Sequence, residues 1–409
     1  MGWVLTAVAG LSFAVWLYLL GYRGGFWHGD QRLDAAAPAP EAWPAVVVLV
    51  PARDEAEVVG AAVAALLAQD YPGPFHVVLI DDHSGDGTAE AAIRAAAGAT
   101  EDSPGRFQAI AAPDLPAGWT GKLWALQAGL AHAGTAFPGT AFPGTPYLWL
   151  SDADIAPGPA TLRHLVAKAE GDKLNLVSLM VALSCRGAWE RLLIPPFIYF
   201  FQMLYPFPWV NDPAKGTAAA AGACVLLRRD ALVRAGGFEG VKGALIDDCA
   251  LARAIKTLPP AADAAGDLWG GIWLGLATES RSIRPYRGLG EIWRMVARNA
   301  YTQLRHSPLL LLGTVIAMTL TFLAPPLLAL TAGLHDNFVA AFLAAGAWAM
   351  MAVSAVPTLS LYRQPAWMAA LMPLAAVFYC AMTLDSALRH WRGAGGAWKD
   401  RVHPGPLKL

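Results

Sequence analysis

The stretch at residues 147–158, YLWLSDADIAPG, runs from an apolar segment directly into two aspartates one residue apart. A short apolar run bounded by turn residues is typical of a buried strand, and Pro157 and Gly158 favour a turn after it. Asp152 and Asp154 therefore lie at the carboxyl end of the predicted strand. Taken alone, this pattern is explained best by a strand and a polar turn, so a functional role depends on what the other strands carry.

Strand-like and helix-like segments alternate through the middle of the chain. This alternation predicts an α/β fold with a mostly parallel sheet and helices on both faces. Ligands of such sheets bind at the carboxyl ends of the strands. The apolar runs lie at 45–52, 75–81, 106–112, 147–152 and 174–183, and the segments with helical period lie at 55–69, 121–133 and 159–170.

Three of the predicted strands end in acidic residues, within VPARDEAE (50–57), LIDDHSGDGT (79–88) and LSDADI (150–155). Turn formation or capping of the next helix explains any one of them. Together they gather like charges along one sheet edge, and such charges repel unless a cation lies between them. One or two carboxylates plus phosphate oxygens suit Mg²⁺, and Mn²⁺ prefers similar oxygen ligands. The sequence therefore predicts a divalent cation and a phosphate-bearing ligand at this edge.

Two further charged segments leave alternatives open. Asp247 and Asp248 begin a predicted helix, where they either stabilise the positive end of the helix dipole or supply a general base. Arg294, Arg298 and Arg305 share a helical spacing just before an apolar stretch. These arginines either contact anionic lipid headgroups or bind a diphosphate through their guanidinium groups.

The composition points to a membrane protein. Of 409 residues, 56% are hydrophobic and 15% are charged, whereas soluble domains carry roughly 25% charged residues. A formal net charge of −1 argues against a nucleic-acid-binding protein, which would carry a basic surplus. The four cysteines have no metal-binding spacing and are expected to be small buried side chains.

Four apolar stretches are candidate membrane spans, since a helix needs about 20 apolar residues to cross a bilayer. The first is expected to be a retained anchor. Arg23 and Arg32 follow it, which predicts that residue 23 onward faces the cytoplasm of a multi-pass inner-membrane protein. If all three later stretches cross, the basic tail at 389–409 lies outside, against the same rule, so the number of spans stays open. The stretches lie at 2–22, 309–333, 338–360 and 366–388.

The predicted organisation is an anchor at 1–22, a linker at 23–44 and a catalytic domain at 45–308, followed by membrane helices at 309–388 and the basic tail. Within the domain, residues 190–212 are aromatic and broken by prolines. This segment is predicted to lie against the membrane and receive a lipid, with a core helix pair as the alternative. The repeat TAFPGTAFPG at 135–144 is predicted to be a loop insertion.

The order of these motifs resembles the inverting glycosyltransferases of family 2, which have a GT-A fold with a Rossmann-like sheet. The resemblance covers residues 46–305. Within this family, the chain is most similar to the hopene-associated subgroup. The features that carry this similarity are the N-terminal anchor, the C-terminal membrane helices and the segments GWTGKLWAL and ARNAYTQLRHSP. The other segments that carry the family resemblance are VPARDEAEVV, LIDDHSGDGT, SDAD, AGACVLLRRDALVRAGGF and IDDCALARAI.

The resemblance implies a nucleotide-sugar site at the ends of the first strands. Of the two acids in LIDDHS, Asp82 is expected to bind the uracil and ribose end, with Asp81 as the alternative. Lys122 is expected to approach the diphosphate. Many relatives carry Asn where this chain has Arg53. The segment PARDE would line the site through Pro51, Ala52, Arg53 and Glu55.

The SDAD segment matches the D-x-D motif of the family. By resemblance, Asp154 would ligate the metal and Asp152 would hold either the ribose or the metal. Asp248 aligns with the catalytic base, and Asp247 replaces the glutamate that usually precedes it.

The arginine motif of the family, Gln/Arg-x-x-Arg-Trp, is only partly present. Arg294 aligns with its arginine, but Glu291 and Met295 occupy the flanking positions, and Arg298 is a rival. This departure disfavours a processive polysaccharide synthase.

The resemblance implies transfer of a hexosyl or N-acetylhexosaminyl group from a nucleotide-diphosphate donor, with a UDP-sugar as the first choice. The expected acceptor is a membrane lipid such as a hopanoid, with a polyprenyl phosphate as the alternative. An inactive scaffold of a lipid-modifying complex and a transporter are the rival functions. The transporter is disfavoured because the spans lack paired repeats and interior charges.

Overall fold

The computed structural model describes residues 2–33, 38–99, 105–135 and 146–393. Most of the repeat at 135–144 and of the basic tail lies outside the described residues. The chain divides into two compact units. The first unit contains the residues up to Gly29, the range Cys185–Pro208 and the residues from Pro285 onward. The second unit contains Asp30–Ser184 and Trp209–Arg284.

Fifteen α-helices lie within the described residues. They are α1 (Gly2–Tyr22), α2 (Val59–Leu67), α3 (Thr88–Ala99), α4 (Gly121–Thr135), α5 (Thr161–Asp172), α6 (Ala188–Leu204), α7 (Phe207–Asn211), α8 (Arg229–Arg234), α9 (Asp247–Lys256), α10 (Leu289–Gln303), α11 (Pro308–Met318), α12 (Ala324–Leu330), α13 (Ala332–His335), α14 (Phe338–Leu361) and α15 (Met372–Trp391).

The second unit is built on a mixed, mostly parallel sheet with the strand order β3-β2-β1-β4-β7-β6-β9-β5, and β8 pairs with β9. Strand β7 pairs antiparallel with β4 and β6. The strands are β1 (Val46–Ala52), β2 (Phe75–Asp81), β3 (Phe107–Ala111), β4 (Tyr147–Ser151), β5 (Ile155–Ala156), β6 (Leu174–Ala182), β7 (Cys224–Arg228), β8 (Ala261–Ala262) and β9 (Leu268–Ser282).

The register brings the predicted acidic segments to one edge of this sheet. Strand β1 runs parallel to β2, with Ala52 opposite Asp81, and parallel to β4, with Leu49 opposite Leu150. All five residues of β4 are buried, as expected of a central strand covered on both faces. The predicted α/β class, with apolar helices at both ends of the chain, is confirmed.

The first unit consists of helices, and four described segments are long and apolar enough to cross a membrane: Gly2–Tyr22, Pro308–Leu330, Phe338–Leu361 and Ala366–Trp391. Its membership differs from the predicted domain boundaries, because α6 and α10 belong to it. The Tyr199 hydroxyl on α6 lies 2.7 Å from the Ser354 hydroxyl on α14. The Tyr379 hydroxyl on α15 donates to the carbonyl of Leu193. The role of residues 190–212 in receiving a lipid stays a prediction.

A π-helical turn at Thr319–Leu323 interrupts the second apolar segment. It leaves two carbonyls without helical partners, because the Ala324 amide bonds Thr319 and the next two residues are prolines. The Ser12 hydroxyl donates to the carbonyl of Leu320 at 2.7 Å. The Trp16 indole donates to the carbonyl of Thr321 at 2.8 Å. Helix α1 therefore supplies the hydrogen bonds that a lipid environment cannot.

Both ends of the fourth apolar segment lie at the same end of the helical unit. The fourth segment begins at Ala366, five residues after Leu361, the last residue of α14. Its far end meets the start of the second segment, since the Ser386 hydroxyl accepts from the Tyr301 amide and His390 stacks on His306 at 4.1 Å. The second and third segments form a hairpin, so Pro308 and Leu361 share one end.

We expect three membrane crossings and a fourth segment that starts and ends on one side. Cysteine introduced at Tyr22, Leu334 or Arg392, all exposed, in a background free of native cysteines tests this with a membrane-impermeant maleimide on sealed vesicles. Tyr22→Cys and Arg392→Cys should react from one side and Leu334→Cys from the other. Reaction of Arg392→Cys together with Leu334→Cys would show a fourth crossing.

Candidate active site

The carboxyl ends of β1, β2 and β4 converge on one acidic site in the second unit. The loop after β1 is fixed to the loop after β2 by hydrogen bonds from backbone amides to side chains. The Glu55 amide donates to the Thr88 hydroxyl at 2.8 Å, the Ala56 amide donates to Asp86 at 3.0 Å, and the Gly85 amide donates to Asp54 at 2.9 Å. These bonds position the side chains that follow both strands.

Arg53 and Asp82 form the floor of the predicted nucleotide site. The Asp82 side chain is buried, and its carboxylate lies 3.7 Å from Nη1 of Arg53. The same nitrogen donates to the Asp82 carbonyl at 2.6 Å. Asp81 accepts from the hydroxyl and amide of Ser84, so it stabilises the turn. The choice between Asp82 and Asp81 as the acid that binds the nucleotide stays a prediction.

Lys122, in the first turn of α4, links the D-x-D segment to the acids of α9. Its Nζ lies 2.7 Å from Oδ1 of Asp152. Burial alone would lower the pKa of Lys122, but the carboxylates of Asp152, Asp247 and Asp248 outweigh burial and raise it. The lysine is therefore charged, and it neutralises part of the negative charge that these acids bring together.

Asp154 is held by the end of β9. Its backbone carbonyl accepts from the Ile283 amide at 2.9 Å, and its carboxylate accepts from the Ser282 hydroxyl at 2.9 Å. Nε of Arg284 lies 3.4 Å from the same carboxylate oxygen, and Nη2 of Arg284 pairs with Glu55. Burial and the charge of Asp152 raise the pKa of Asp154.

Asp248 lies at the start of α9 with its carboxylate bound by backbone amides. Gly222 donates to one oxygen at 2.8 Å and Cys249 donates to the other at 2.7 Å. Burial and the neighbouring Asp247 raise the pKa of Asp248 to about 6, while Lys122 and the amides act in the opposite direction. A Cβ on Gly222 would lie 3.1 Å from the Asp248 side chain, so this close contact favours glycine there.

A cleft lies between Lys122 and the acids of the β4 end and of α9. Its polar lining is formed by Lys122, Ser151, Asp152, Asp247 and Asp248. Pro51 lies at its wall, together with apolar side chains from α4, β7 and α9. One basic and three acidic side chains thus face a single space.

The sequence matches the family model described as "Glycosyltransferase like family 2" over residues 44–258, which is more than half of the chain. The chain belongs to this family. No curated protein matches its sequence. The matched region contains the three acidic strand ends and the aspartates of α9.

One solved glycosyltransferase structure shares the fold, and a second is more distantly similar. The mannosyltransferase PcManGT from Pyrobaculum calidifontis, solved with GDP-Man and Mn²⁺, is 20% identical, and the alignment covers 93% of this chain and 99% of that one with a TM-score of 0.51. Glucosyl-3-phosphoglycerate synthase from Mycobacterium tuberculosis is 18% identical over 64% of this chain and 79% of that one, with a TM-score of 0.37. The similarity to PcManGT supports the GT-A fold.

The carboxylates of the site fit a cation that a bound ligand helps to coordinate. Across the described parts of the chain, no three or more His, Cys, Asp or Glu side chains converge as a complete metal site. Asp152 and Asp154 offer two carboxylates, and Mg²⁺ is bound by one or two carboxylates with phosphate oxygens completing the shell. This family 2 protein therefore has a donor set for a metal shared with a diphosphate.

The sequence analysis missed Arg284, the arginine that contacts Asp154. Arg294 and Arg298 lie on α10 in the helical unit, and their contact with a diphosphate stays a prediction. Arg284 follows β9, a strand absent from the predicted set. The signal was present, because ATESRSIR ends a long apolar alternating run with polar residues, as the other strand ends do.

The pH dependence of turnover tests Asp248 as the predicted general base. Because the base acts when ionised, kcat/KM should fall as the pH drops below about 6. Asp247→Asn removes a negative neighbour, lowers the pKa of Asp248 and moves this acidic limb to lower pH. Lys122→Met removes a positive neighbour and moves the limb to higher pH.

The control is Asp172→Asn, which changes an exposed acid at the end of α5 and should leave the limb in place. Turnover of each variant is measured from pH 4.5 to 8 on a nucleotide-sugar donor. Shifts in the same direction for Asp247→Asn and Lys122→Met would contradict the assignment of Asp248.

Proposed function

We propose that this family 2 protein is a metal-dependent, inverting glycosyltransferase. It moves a hexosyl or N-acetylhexosaminyl group from a nucleotide-diphosphate sugar, with a UDP-sugar as the first candidate, to a hydroxyl of a membrane lipid. The observation that carries this proposal is the cleft that Asp152 of the D-x-D segment lines together with Lys122 and Asp248, with Lys122 paired to Asp152.

The donor is proposed to bind along the ends of β1, β2 and β4. Asp82 and Arg53 hold the base and ribose, with Pro51, Ala52 and Glu55 lining the same path. Asp154, together with Asp152, ligates Mg²⁺ or Mn²⁺, which would neutralise the diphosphate leaving group. Lys122 lies in the first turn of α4 and favours negative charge through its own charge and the helix N-terminus.

Asp248 is proposed to accept the proton of the acceptor hydroxyl as that oxygen attacks the sugar. Its two amide bonds fix the carboxylate, and its raised pKa brings it close to the range in which a general base is effective. Attack from the side of Asp248, opposite the diphosphate, inverts the anomeric carbon.

An alcohol acceptor suits the cleft better than a phosphate acceptor. The charged side chains lining it are Lys122, Asp152, Asp247 and Asp248, and Lys122 already pairs with Asp152. A phosphate would meet excess negative charge there, and it would need little help from a base. The apolar helices of the first unit support a lipid as the molecule that carries the hydroxyl, and the subgroup resemblance supports a hopanoid.

The proposed location is the inner membrane, with the catalytic unit facing the cytoplasm. Arg23 follows α1 directly, and positive charge favours the cytoplasmic side of a span. Nucleotide sugars in the cytoplasm would then reach the site, and the lipid acceptor would reach it from the bilayer.

Donor turnover by the full-length protein in detergent tests the function. A panel of UDP- and GDP-sugars with and without Mn²⁺ should reveal one donor that is consumed only when metal is present. Asp154→Asn and Asp248→Asn should each reduce turnover by roughly 10²–10⁴-fold, and Asp172→Asn should match the wild type. Unchanged turnover in Asp248→Asn would refute the mechanism, and no turnover of any donor would favour the scaffold.

The acceptor is tested by comparing lipid extracts of cells with and without the chain. A glycolipid whose sugar is joined to a lipid hydroxyl by an O-glycosidic bond should be missing from the deletion strain and restored by the wild type. Restoration by Asp248→Asn would contradict the proposal. A missing polyprenyl-phosphate sugar would instead identify the phosphate acceptor.

A further inference from the structure

Arg284 forms an unexpected link within the donor site. It follows β9 by two residues, and its guanidinium pairs with Glu55 from the loop after β1 and with Asp154 from the turn after β4. In the proposed function, Glu55 lines the path of the donor and Asp154 ligates the metal. The basic partner of the metal-binding acid therefore comes from a strand outside the three that carry the acidic motifs.

Each aspartate of the D-x-D segment thus has its own basic partner. Asp152 pairs with Lys122 at 2.7 Å, and Asp154 pairs with Arg284 at 3.4 Å. Two carboxylates this close in the chain would otherwise repel each other. The protein itself balances the charge that a divalent cation would balance in the donor complex.

We propose that Arg284 is the resident counter-ion of Asp154, and that a divalent cation binds Asp154 by displacing it. The inference rests on the proposed metal-dependent function. Once displaced from Asp154, the guanidinium can contact the donor diphosphate, for which its planar set of donors is suited. Arg284 would thereby couple metal binding to donor binding.

The contacts around Asp154 favour such an exchange. The Arg284 side chain is 37% exposed, whereas Asp154 is 19% and Glu55 is 11% exposed, so the arginine approaches from the solvent side. Its 3.4 Å contact with Asp154 is longer than the 2.7–2.9 Å typical of charged hydrogen bonds. The Ser282 hydroxyl, at 2.9 Å, keeps Asp154 in place when Arg284 leaves.

The proposed exchange predicts that loss of Arg284 strengthens metal binding, which the loss of a purely structural arginine would not do. A guanidinium within a few ångströms repels a divalent cation, so removing it should strengthen metal binding in the absence of nucleotide, by about tenfold or more. A structural arginine would have the opposite effect, because its loss would release Asp154 and weaken the site.

The experiment measures Mn²⁺ binding to the full-length protein in detergent from the electron paramagnetic resonance signal of free Mn²⁺. The variants are Arg284→Gln, Arg284→Lys and the control Arg281→Gln, which removes an exposed arginine of β9. Without nucleotide, Arg284→Gln should lower the Kd for Mn²⁺ by about tenfold. Arg284→Lys, which keeps the charge, and Arg281→Gln should stay close to the wild type.

A second titration includes UDP or GDP, whichever the protein binds. The nucleotide should strengthen Mn²⁺ binding in the wild type more than in Arg284→Gln. In the wild type, the diphosphate becomes a partner for the arginine that Mn²⁺ displaces from Asp154. If Arg284→Gln does not fold, the double variant Glu55→Gln/Arg284→Gln, which removes the charges of both Arg284 and Glu55, is compared with Glu55→Gln. The double variant should bind Mn²⁺ more tightly.

Unchanged or weaker Mn²⁺ binding in Arg284→Gln would overturn the inference while leaving metal-dependent transfer intact. A wild type that binds no Mn²⁺ with or without nucleotide would overturn the metal-dependent function, and the inference with it. Equal nucleotide coupling in the wild type and Arg284→Gln would show that Arg284 does not link the two ligands.

Discussion

The ion pair between Lys122 and Asp152 is the interaction on which the site depends. Parallel strands bring acids from separate parts of the chain to one edge, and this gathering costs free energy unless basic groups are interposed. Lys122 reaches Asp152 from α4 and also acts on Asp247 and Asp248. One side chain therefore allows the donor-binding acids and the proposed base to share a cleft.

The sequence was sufficient to predict the strands that carry this edge. Apolar runs ending in acids predicted β1, β2 and β4 within one or two residues, because burial on both faces leaves a clear pattern. It was not sufficient to predict the antiparallel insertion of β7 or the contribution of Arg284. Both depend on which strands become neighbours, and pairing over long sequence separations leaves little local signal.

The same limitation applies to the apolar segments. Length and hydropathy identified four stretches. Neither property shows whether the two ends of a stretch lie on the same side of the membrane. That information comes from contacts such as those of Tyr301 with Ser386 and with His390. Similarly, the prolines of residues 190–212 predicted a broken segment, but Pro195 and Pro196 lie inside a single helix, α6.

The bonds from Ser12 and Trp16 to the π-helical turn have a practical consequence for handling this protein. Helix α1 contributes two hydrogen-bond donors as well as apolar length, so an unrelated membrane anchor would restore hydrophobicity but leave carbonyls unsatisfied in lipid. A fragment that begins after the linker would lack α1, so the carbonyls of Leu320 and Thr321 would lose the same two donors. Engineering for expression should therefore keep the native N-terminal helix and place tags outside it.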